Sequence, residues 1–366
     1  MSAWQARRMM FTRPANSKQE PSRRGVVQHD EGWFYQGQAA HRLWNKSAIG
    51  RLVGSEGLLL SSSEVIFCHE HRHLEWPFDS WLSEQLGDRP RLLEEAAILE
   101  ALRVPGNRIV VHSNFEAMGL SSAAASWGLR WPSEEHPSTS EATYEVRWYH
   151  ASEELDIEDL FEWSEQVREG GRMAEVLVVD DEHAVVTYRV GAVEPEGEMG
   201  AVPDDDFVTI SELGESSGLD NGGSFIHFEG DWPNDRVGIP YPSGRIMDQQ
   251  ASELVEAMAN GSAGSLSIGA SILGDLLNRG LHPRPGFKYG TRWRCYDRPM
   301  GEDHAPWLVV HPAEGPVDWE GACLASRLAS GVNKTWLHPL LVESEWRYLS
   351  ITRPPADSRW NNPHRR

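Results

Sequence analysis

The amino-acid sequence predicts an α+β protein made of two tandem repeats, each with a small helical or mixed N-terminal subdomain and a mixed α/β C-terminal subdomain. Two segments about 162 residues apart, around Asp156 and Asp318, follow one order of elements: a helix start, an amphipathic helix, an apolar strand, an acidic turn and a second strand. Upstream of each segment another helix is predicted, opening near Ser62 and near Ala251. An acidic stretch with Gly and Pro at 194–206 is typical of a linker.

These patterns give a domain plan for the chain of 366 residues, which is long enough for more than one domain. We expect a tail at each end, a linker in the middle and two subdomains in each repeat. The predicted boundaries are 1–35 for a flexible tail, 36–105 and 106–193 for the first repeat, 194–206 for the acidic linker, 207–280 and 281–356 for the second repeat, and 357–366 for a second tail.

The local patterns predict individual elements within this plan. Helices are predicted at 62–74, 91–102, 247–259 and 266–278, the last with Ser265 as its N-cap. Strands are predicted at 108–112, 142–149, 207–210, 225–228, 291–296 and 307–310.

Composition limits the class of protein. Apolar residues make up 40% and charged residues 24%, as in ordinary globular proteins. Three widely spaced cysteines and the lack of a long apolar run predict a cytoplasmic protein without a membrane segment. The net charge of −21, taken alone, argues against a nucleic-acid partner, because phosphates bind basic surfaces. Part of that charge lies in the predicted linker, which weakens the objection.

Lysine is unusually rare in this chain. Only four of the 34 Lys and Arg residues are lysines, and two of the four, Lys288 and Lys334, fall in the motifs described next. A chain that uses Arg elsewhere and keeps Lys there indicates a role for a compact ammonium group.

Three polar side chains stand at the ends of predicted elements in the last 85 residues. Tyr289 lies in Gly286–Gly290 (GFKYG), where two glycines permit a sharp turn. His304 follows Glu302 and Asp303 and precedes an apolar strand, and Lys334 closes the last predicted helix. A scaffold can hold side chains at such positions together, so they are candidates for one site.

The motifs GFKYG, EDHxxWLVV and RLASxVxK, in this order, resemble the catalytic domain of archaeal tRNA-splicing endonuclease. The resemblance is specific over 286–348 and looser over 237–280. It implies RNA cleavage without metal or other cofactor, in which the substrate's own 2′-hydroxyl attacks the neighbouring phosphate. Tyr289 would be the general base, His304 the general acid, and Lys334 the cation that stabilises the transition state.

The resemblance also implies a substrate and an assembly. Arg327 would grip RNA, together with either Arg347 or Arg353. The substrate would be precursor tRNA with a bulge-helix-bulge intron, and the products would carry 2′,3′-cyclic phosphate and 5′-hydroxyl ends. The chain looks like the fused two-repeat form that works as a homodimer, with an acidic loop (Asp180, Asp181 and Glu182) that docks on the active half.

The first repeat departs from the catalytic pattern. Trp127 stands where Tyr289 would be, Thr143 stands near the place of His304, and Arg172 near that of Lys334. Trp cannot act as a base, so we expect the first repeat to be silent.

Alternatives remain at this point. A non-catalytic RNA-binding subunit would share the fold, and a metal-dependent nuclease would require paired carboxylates beside a lysine, which the sequence does not offer convincingly. His69 and His73, four apart in a predicted helix, could hold a metal ion, but a solvated helix face is the better interpretation.

Overall fold

The computed structural model describes residues 25–37, 39–55 and 57–360, and it divides the chain into two compact units at Leu92/Leu93. Within this described part, the helices are all too short or too polar to cross a membrane.

The first unit is a four-stranded antiparallel sheet with three helices. Its elements are β1 (Val26–His29), β2 (Gly32–Gln36), α1 (Ala40–Ser47), β3 (Arg51–Val53), β4 (Gly57–Leu60), α2 (Ser62–Arg72) and α3 (Trp81–Asp88). The strand order is β1-β2-β4-β3. Helix α2 begins where the sequence predicts, because Ser61 and Glu64 form a capping box: the Ser61 Oγ accepts the Glu64 N–H at 3.2 Å, and the Glu64 carboxylate accepts the Ser61 N–H at 3.1 Å.

The end of α2 uses its histidine in packing. His69 Nδ1 lies 2.8 Å from the Leu74 carbonyl oxygen, and its ring stacks on Trp76 with 3.9 Å between centroids. His69 is therefore half-buried and packed, which differs from the solvated helix face predicted for it and also disfavours a metal-binding role.

Both predicted tails are ordered where the structure describes them. Residues 26–36 form the hairpin of β1 and β2, so the prediction of a flexible tail up to residue 35 is wrong there, while 1–24 and 361–366 lie outside the described residues. Near the other end, the Trp360 backbone exchanges two hydrogen bonds with the Thr187 hydroxyl, at 2.8 and 3.0 Å. The segment 357–360 is therefore packed rather than loose.

The second unit contains a ten-stranded sheet and a small four-stranded sheet. Its helices are α4 (Leu92–Arg103), α5 (Phe115–Met118), α6 (Ile157–Glu169), α7 (Asp204–Glu212), α8 (Gln249–Ala259), α9 (Ile268–Asn278) and α10 (Trp319–Gly331). Its strands are β5 (Arg108–Val111), β6 (Gly128–Trp131), β7 (Tyr144–His150), β8 (Met173–Val179), β9 (Val185–Val193), β10 (Glu215–Gly218), β11 (Ser224–His227), β12 (Ile239–Tyr241), β13 (Gly244–Met247), β14 (His282–Pro285), β15 (Trp293–Tyr296), β16 (Trp307–Val309), β17 (Thr335–Val342) and β18 (Glu345–Thr352).

The large sheet has two five-stranded halves that meet at its centre. The order is β14-β15-β16-β17-β18-β9-β8-β7-β6-β5, and β18 pairs with β9 antiparallel. Each half has a single parallel pairing, β16 with β17 and β7 with β8, and its other pairings are antiparallel. The mixed α+β class predicted from the sequence is confirmed.

Helices cover both faces of this sheet. On one face α6 and α10 bury Trp163 and Trp319 against β8, β17 and β18. On the other face of the second half, α8 and α9 bury Leu254 and Leu276 against Trp293 and its neighbours. These helices pack on the sheet and fix the position of its strands, and the candidate site residues lie at the edge where several of those strands begin or end.

Three details differ from the sequence prediction. The segment predicted as a strand at 207–210 belongs to helix α7, because Asp204–Asp206 form an acidic first turn that suits a helix N-terminus. The predicted linker therefore ends in a helix, and its Glu194 pairs with Arg279 at 2.5 Å and Arg347 at 2.9 Å. Helices α8 and α9 each begin a few residues after the start predicted from the sequence. Their N-caps are Asp248 and Ser267, and Ser265 is not a cap.

A buried ion pair across β7 generates a stability prediction. Arg130 in β6 meets Glu175 in β8 through Nε–Oε2 at 2.6 Å and Nη2–Oε1 at 3.0 Å, and both side chains are buried. Glu175→Leu leaves the guanidinium buried with no counter-charge, so we expect a loss of roughly 3–5 kcal/mol in the free energy of unfolding, measured by chemical denaturation. Arg130→Met combined with Glu175→Leu should recover most of it. A loss under about 1 kcal/mol in the single variant would contradict this account.

Candidate active site

Parallel pairing brings His304 and Lys334 to one edge of the large sheet. Trp307, the first residue of β16, is in register with Thr335, the first residue of β17. His304 lies three residues before β16 and Lys334 directly before β17, so both precede strands that start side by side. The Lys334 ammonium donates a hydrogen bond to the carbonyl of Ala305, next to His304. The structure thus brings these two predicted residues together.

The end of helix α10 fixes Lys334. Asn333 adopts the left-handed conformation (φ 55°), the Lys334 N–H donates to the Ala329 carbonyl at 3.0 Å, and the Asn333 N–H donates to Ser330 at 3.3 Å. This pair of bonds is the Schellman motif, which ends the helix and sets the direction of the following chain. The backbone conformation at Lys334, from which its side chain extends, is therefore fixed by hydrogen bonds.

Tyr289 reaches the same place from a tight turn. Phe287–Tyr289 form one 3₁₀ turn between β14 and β15, closed by the Tyr289 N–H on the Gly286 carbonyl at 2.7 Å. The half-buried Tyr289 ring packs against the core beneath α10, and the Lys334 ammonium lies 5.5 Å from its centroid. Tyr289 and Lys334 are neighbours, as the sequence analysis expects.

A second phenol, Tyr296, lies on the same edge, and the sequence analysis missed it. The pairing of Cys295 with Trp307 places Tyr296 opposite residue 306, and the pairing of Trp307 with Thr335 places 306 beside Lys334. Side chains opposite one another share a face of the sheet, so Tyr296 and Lys334 project from the same face, two strands apart. Its signal in the sequence is that it ends a predicted strand eight residues before His304.

His304 itself is exposed. Its backbone N–H donates to the Asp303 carboxylate at 2.7 Å, which orders the segment leading into β16. The side chain of His304 is exposed, two residues before the position that lies between Tyr296 and Lys334 in the register.

The arginines separate into two groups. Continuing the pairing of Ser350 with Leu337 places Arg353 opposite Lys334. Burial raises the pKa of Tyr188, and the charges of Arg353 and of Arg327 on α10 oppose that rise, so both arginines lie near one phenol. Arg347 lies six residues up the strand, roughly 20 Å away, where it pairs with Glu194 and Glu345.

In the second half, the register aligns Tyr296, Pro306 and Lys334 across three strands, and we call this line of residues the row of Lys334. In the first half, Trp131, Thr143 and Arg172 are aligned in the equivalent row. Thr143 thus falls at the place of Pro306, not of His304 as the sequence analysis expected. Arg172 is held by the buried Glu145 at 2.8 Å, and Trp131 is fully buried.

Trp127, expected at the place of Tyr289, is tied to another helix. Its indole N–H donates to Glu95 at 3.0 Å, and its ring packs beneath α4. Among the described residues of this row, the first half offers neither a phenol nor an imidazole.

The predicted docking loop is an exposed turn between β8 and β9. Asp180 Oδ1 accepts the N–H groups of Glu182 at 3.0 Å and Ala184 at 2.8 Å, so the turn is preformed. Asp181 lies 3.2 Å from His150. All three acidic side chains of the turn are exposed.

Comparison with known proteins places this geometry in a family context. Residues 270–346 match the family described as tRNA intron endonuclease, catalytic C-terminal domain. Two archaeal proteins named tRNA-splicing endonuclease are similar over 177 residues: that of Thermoplasma volcanium is 26% identical, covering 48% of this chain and 54% of its own, and that of Picrophilus torridus 27%, covering 48% and 55%. The chain spans about half the length of these relatives. The resemblance noted in the sequence is confirmed.

The turn before Lys334 yields a testable consequence. Asn333→Gly keeps the left-handed conformation available, whereas Asn333→Val forces a β-branched side chain into it. We expect the valine variant to lose about 1–2 kcal/mol of unfolding free energy in chemical denaturation and the glycine variant to stay within about 0.5 kcal/mol. Equal stability of the two variants would show that this backbone position is not restrictive.

Proposed function

We propose that this chain is an endoribonuclease that excises introns from precursor tRNA by cutting both intron boundaries in bulge-helix-bulge structures without a metal ion. The observation that supports the proposal is the shared sheet edge, where Tyr296 and Lys334 project from one face and His304 lies in the loop that leads into β16, within the stretch that matches the endonuclease family.

The chemistry requires three groups. A base removes the proton of the substrate 2′-hydroxyl, the 2′-oxygen bonds to phosphorus, and the P–O5′ bond breaks as an acid protonates the leaving oxygen. A cation stabilises the extra negative charge of the phosphorane. The products carry a 2′,3′-cyclic phosphate and a 5′-hydroxyl, and no electrons or further reactants are needed.

His304 is the acid in this proposal and Lys334 the cation. His304 suits the task because histidine is the side chain most often used in general acid–base catalysis and this imidazole is exposed. Lys334 is suited because its ammonium is positioned by the helix end and by the Ala305 carbonyl. Charge held in a fixed place needs no rearrangement during the reaction.

Two tyrosines compete for the role of base. Tyr289, the residue expected from the sequence, has its ring near the Lys334 ammonium but packs into the core beneath α10. Tyr296 ends its strand on the row of Lys334 and stands beside cationic Arg294, whose guanidinium lies 5.7 Å from its ring. We place Tyr296 first, because it opens the same loop, 297–306, that carries His304.

Arg327 and Arg353 are the RNA-gripping arginines in this proposal. Both lie near Tyr188 beside the row of Lys334, while Arg347 is occupied by two carboxylates at the far end of β18. Carboxylate partners compete with RNA phosphate for a guanidinium, so Arg353 is the better of the two C-terminal candidates.

The two halves of the sheet are, in this proposal, copies of one unit, since they share the same order of antiparallel and parallel pairings. Only the second copy would be active. Two cuts then call for two chains, and the turn at Asp180, Asp181 and Glu182 would dock on the active half of the partner. The homodimer, like the cytoplasmic location, stays a prediction.

The deciding assay is incubation of the protein in EDTA with end-labelled precursor tRNA. We expect two cuts with cyclic phosphate ends, slowed about 10²–10⁴-fold in His304→Ala, while RNA binding is kept. The exposed His227 in the small sheet serves as the matched control, and His227→Ala should cut normally. Cleavage that stops in EDTA and returns with Mg²⁺ would contradict the proposal. Binding without cleavage by the unaltered chain would instead indicate a non-catalytic RNA-binding subunit.

A pair of conservative variants decides between the tyrosines. Phenylalanine removes only the hydroxyl, so Tyr296→Phe should lower the single-turnover rate by about 10²-fold or more, and Tyr289→Phe should change it less than about fivefold. The reverse result would return the role of base to Tyr289. Melting temperatures of both variants control for loss of the fold.

A further inference from the structure

Phe287 presents its aromatic side chain to solvent. It is 90% exposed, more than any other large apolar side chain that the structure describes. Such exposure forgoes most of the stabilisation that burial would give a phenyl ring. Single exposed apolar residues are common on protein surfaces, but Phe287 is held by a tight turn and has charged and aromatic neighbours.

The turn holds Phe287 outward. The Gly286 N–H donates to the Arg292 carbonyl at 3.0 Å, and the Gly290 N–H donates to the Phe287 carbonyl at 3.2 Å. A Cβ on Gly286 would lie 2.5 Å from the Thr291 hydroxyl, so the backbone here is tightly packed. Tyr289 already takes the inward position of this turn. The ring of Phe287 is therefore presented by a preformed loop.

The neighbours of Phe287 belong to the candidate active site. Two residues on, the ring of Tyr289 adjoins the Lys334 ammonium. Lys288 lies between Phe287 and Tyr289 in the chain. It is exposed and has no salt bridge to any other residue that the structure describes. One short turn thus offers an aromatic face and an unpaired positive charge next to the groups proposed for phosphoryl transfer.

We propose that Phe287 stacks on an unpaired base of the RNA beside the scissile phosphate, with Lys288 on an adjacent phosphate. The inference rests on the proposed function and deepens it. Bases in bulges are free of pairing and expose flat π faces, and proteins bind such bases by stacking them on aromatic side chains. Stacking also tolerates any base, which suits a substrate defined by shape.

The other use of an exposed aromatic residue is hydrophobic docking of a protein. The two uses differ in what they require of the side chain. Stacking needs a flat ring, so Trp should replace Phe287 and Leu should not. Docking needs apolar volume, which Leu supplies nearly as well as Phe.

The test measures binding to a bulge-helix-bulge RNA that carries 2′-deoxy sugars at both cleavage sites, which removes the attacking hydroxyl. We expect Phe287→Ala and Phe287→Leu to weaken binding roughly 5- to 150-fold, and Phe287→Trp to bind like the unaltered protein with its fluorescence quenched by RNA. Leu341, exposed on β17 roughly 23 Å along the strand from Lys334, provides the control, and Leu341→Ala should bind normally.

The outcomes separate the inference from the function on which it rests. Normal binding by Phe287→Leu, or by Phe287→Ala, overturns the stacking while the unaltered chain still cuts its substrate. A change of oligomeric state in Phe287→Ala, seen by sedimentation, also overturns it and favours protein docking. If the unaltered chain neither binds nor cuts the RNA, the proposed function fails, and the inference fails with it.

Discussion

The parallel pairing of β16 with β17 is the constraint on which the candidate site depends. Parallel neighbours start at the same edge of a sheet, so residues just before each strand meet without any special contact. Helix α10 makes the crossover between them and ends in a left-handed residue that delivers Lys334 to that edge. The antiparallel neighbours on either side, β15 and β18, then bring Tyr296 and Arg353 to the same row.

The first half shows what the same frame does without reactive groups. Its row holds a fully buried tryptophan and an arginine tied to a buried carboxylate, both of which stabilise the fold. Arg172 and Glu145 neutralise one another there, whereas the Lys334 ammonium donates to a backbone carbonyl, adjoins the Tyr289 ring and has no carboxylate partner among the residues that the structure describes. One arrangement of strands thus supports an edge of buried and paired side chains in one half and, in our proposal, a catalytic edge in the other.

Much of this could be predicted from local sequence, and the remainder required knowledge of which strands pair. The start of helix α2 is predicted by its capping box, and the starts of α6 and α10 are predicted by the Asp at each N-cap. The proposed role of Tyr296 and the proposed choice of Arg353 over Arg347 depend on strand register, which local patterns do not reveal. The sequence predicts a strand where helix α7 lies, because a short apolar run fits either structure and the acidic residues of the first turn also fit a linker.

The antiparallel junction of β9 with β18 has a consequence for the newly made chain. These strands share five residue pairs, yet about 150 residues separate the end of β9 from the start of β18. At ordinary rates of synthesis on the ribosome, β9 waits roughly 8–30 s for its partner. During that interval it is an open edge with unpaired backbone groups, able to pair with another nascent chain. Joining two halves through one continuous sheet thus covers this edge in the finished protein and leaves it open while the second half is still being synthesised.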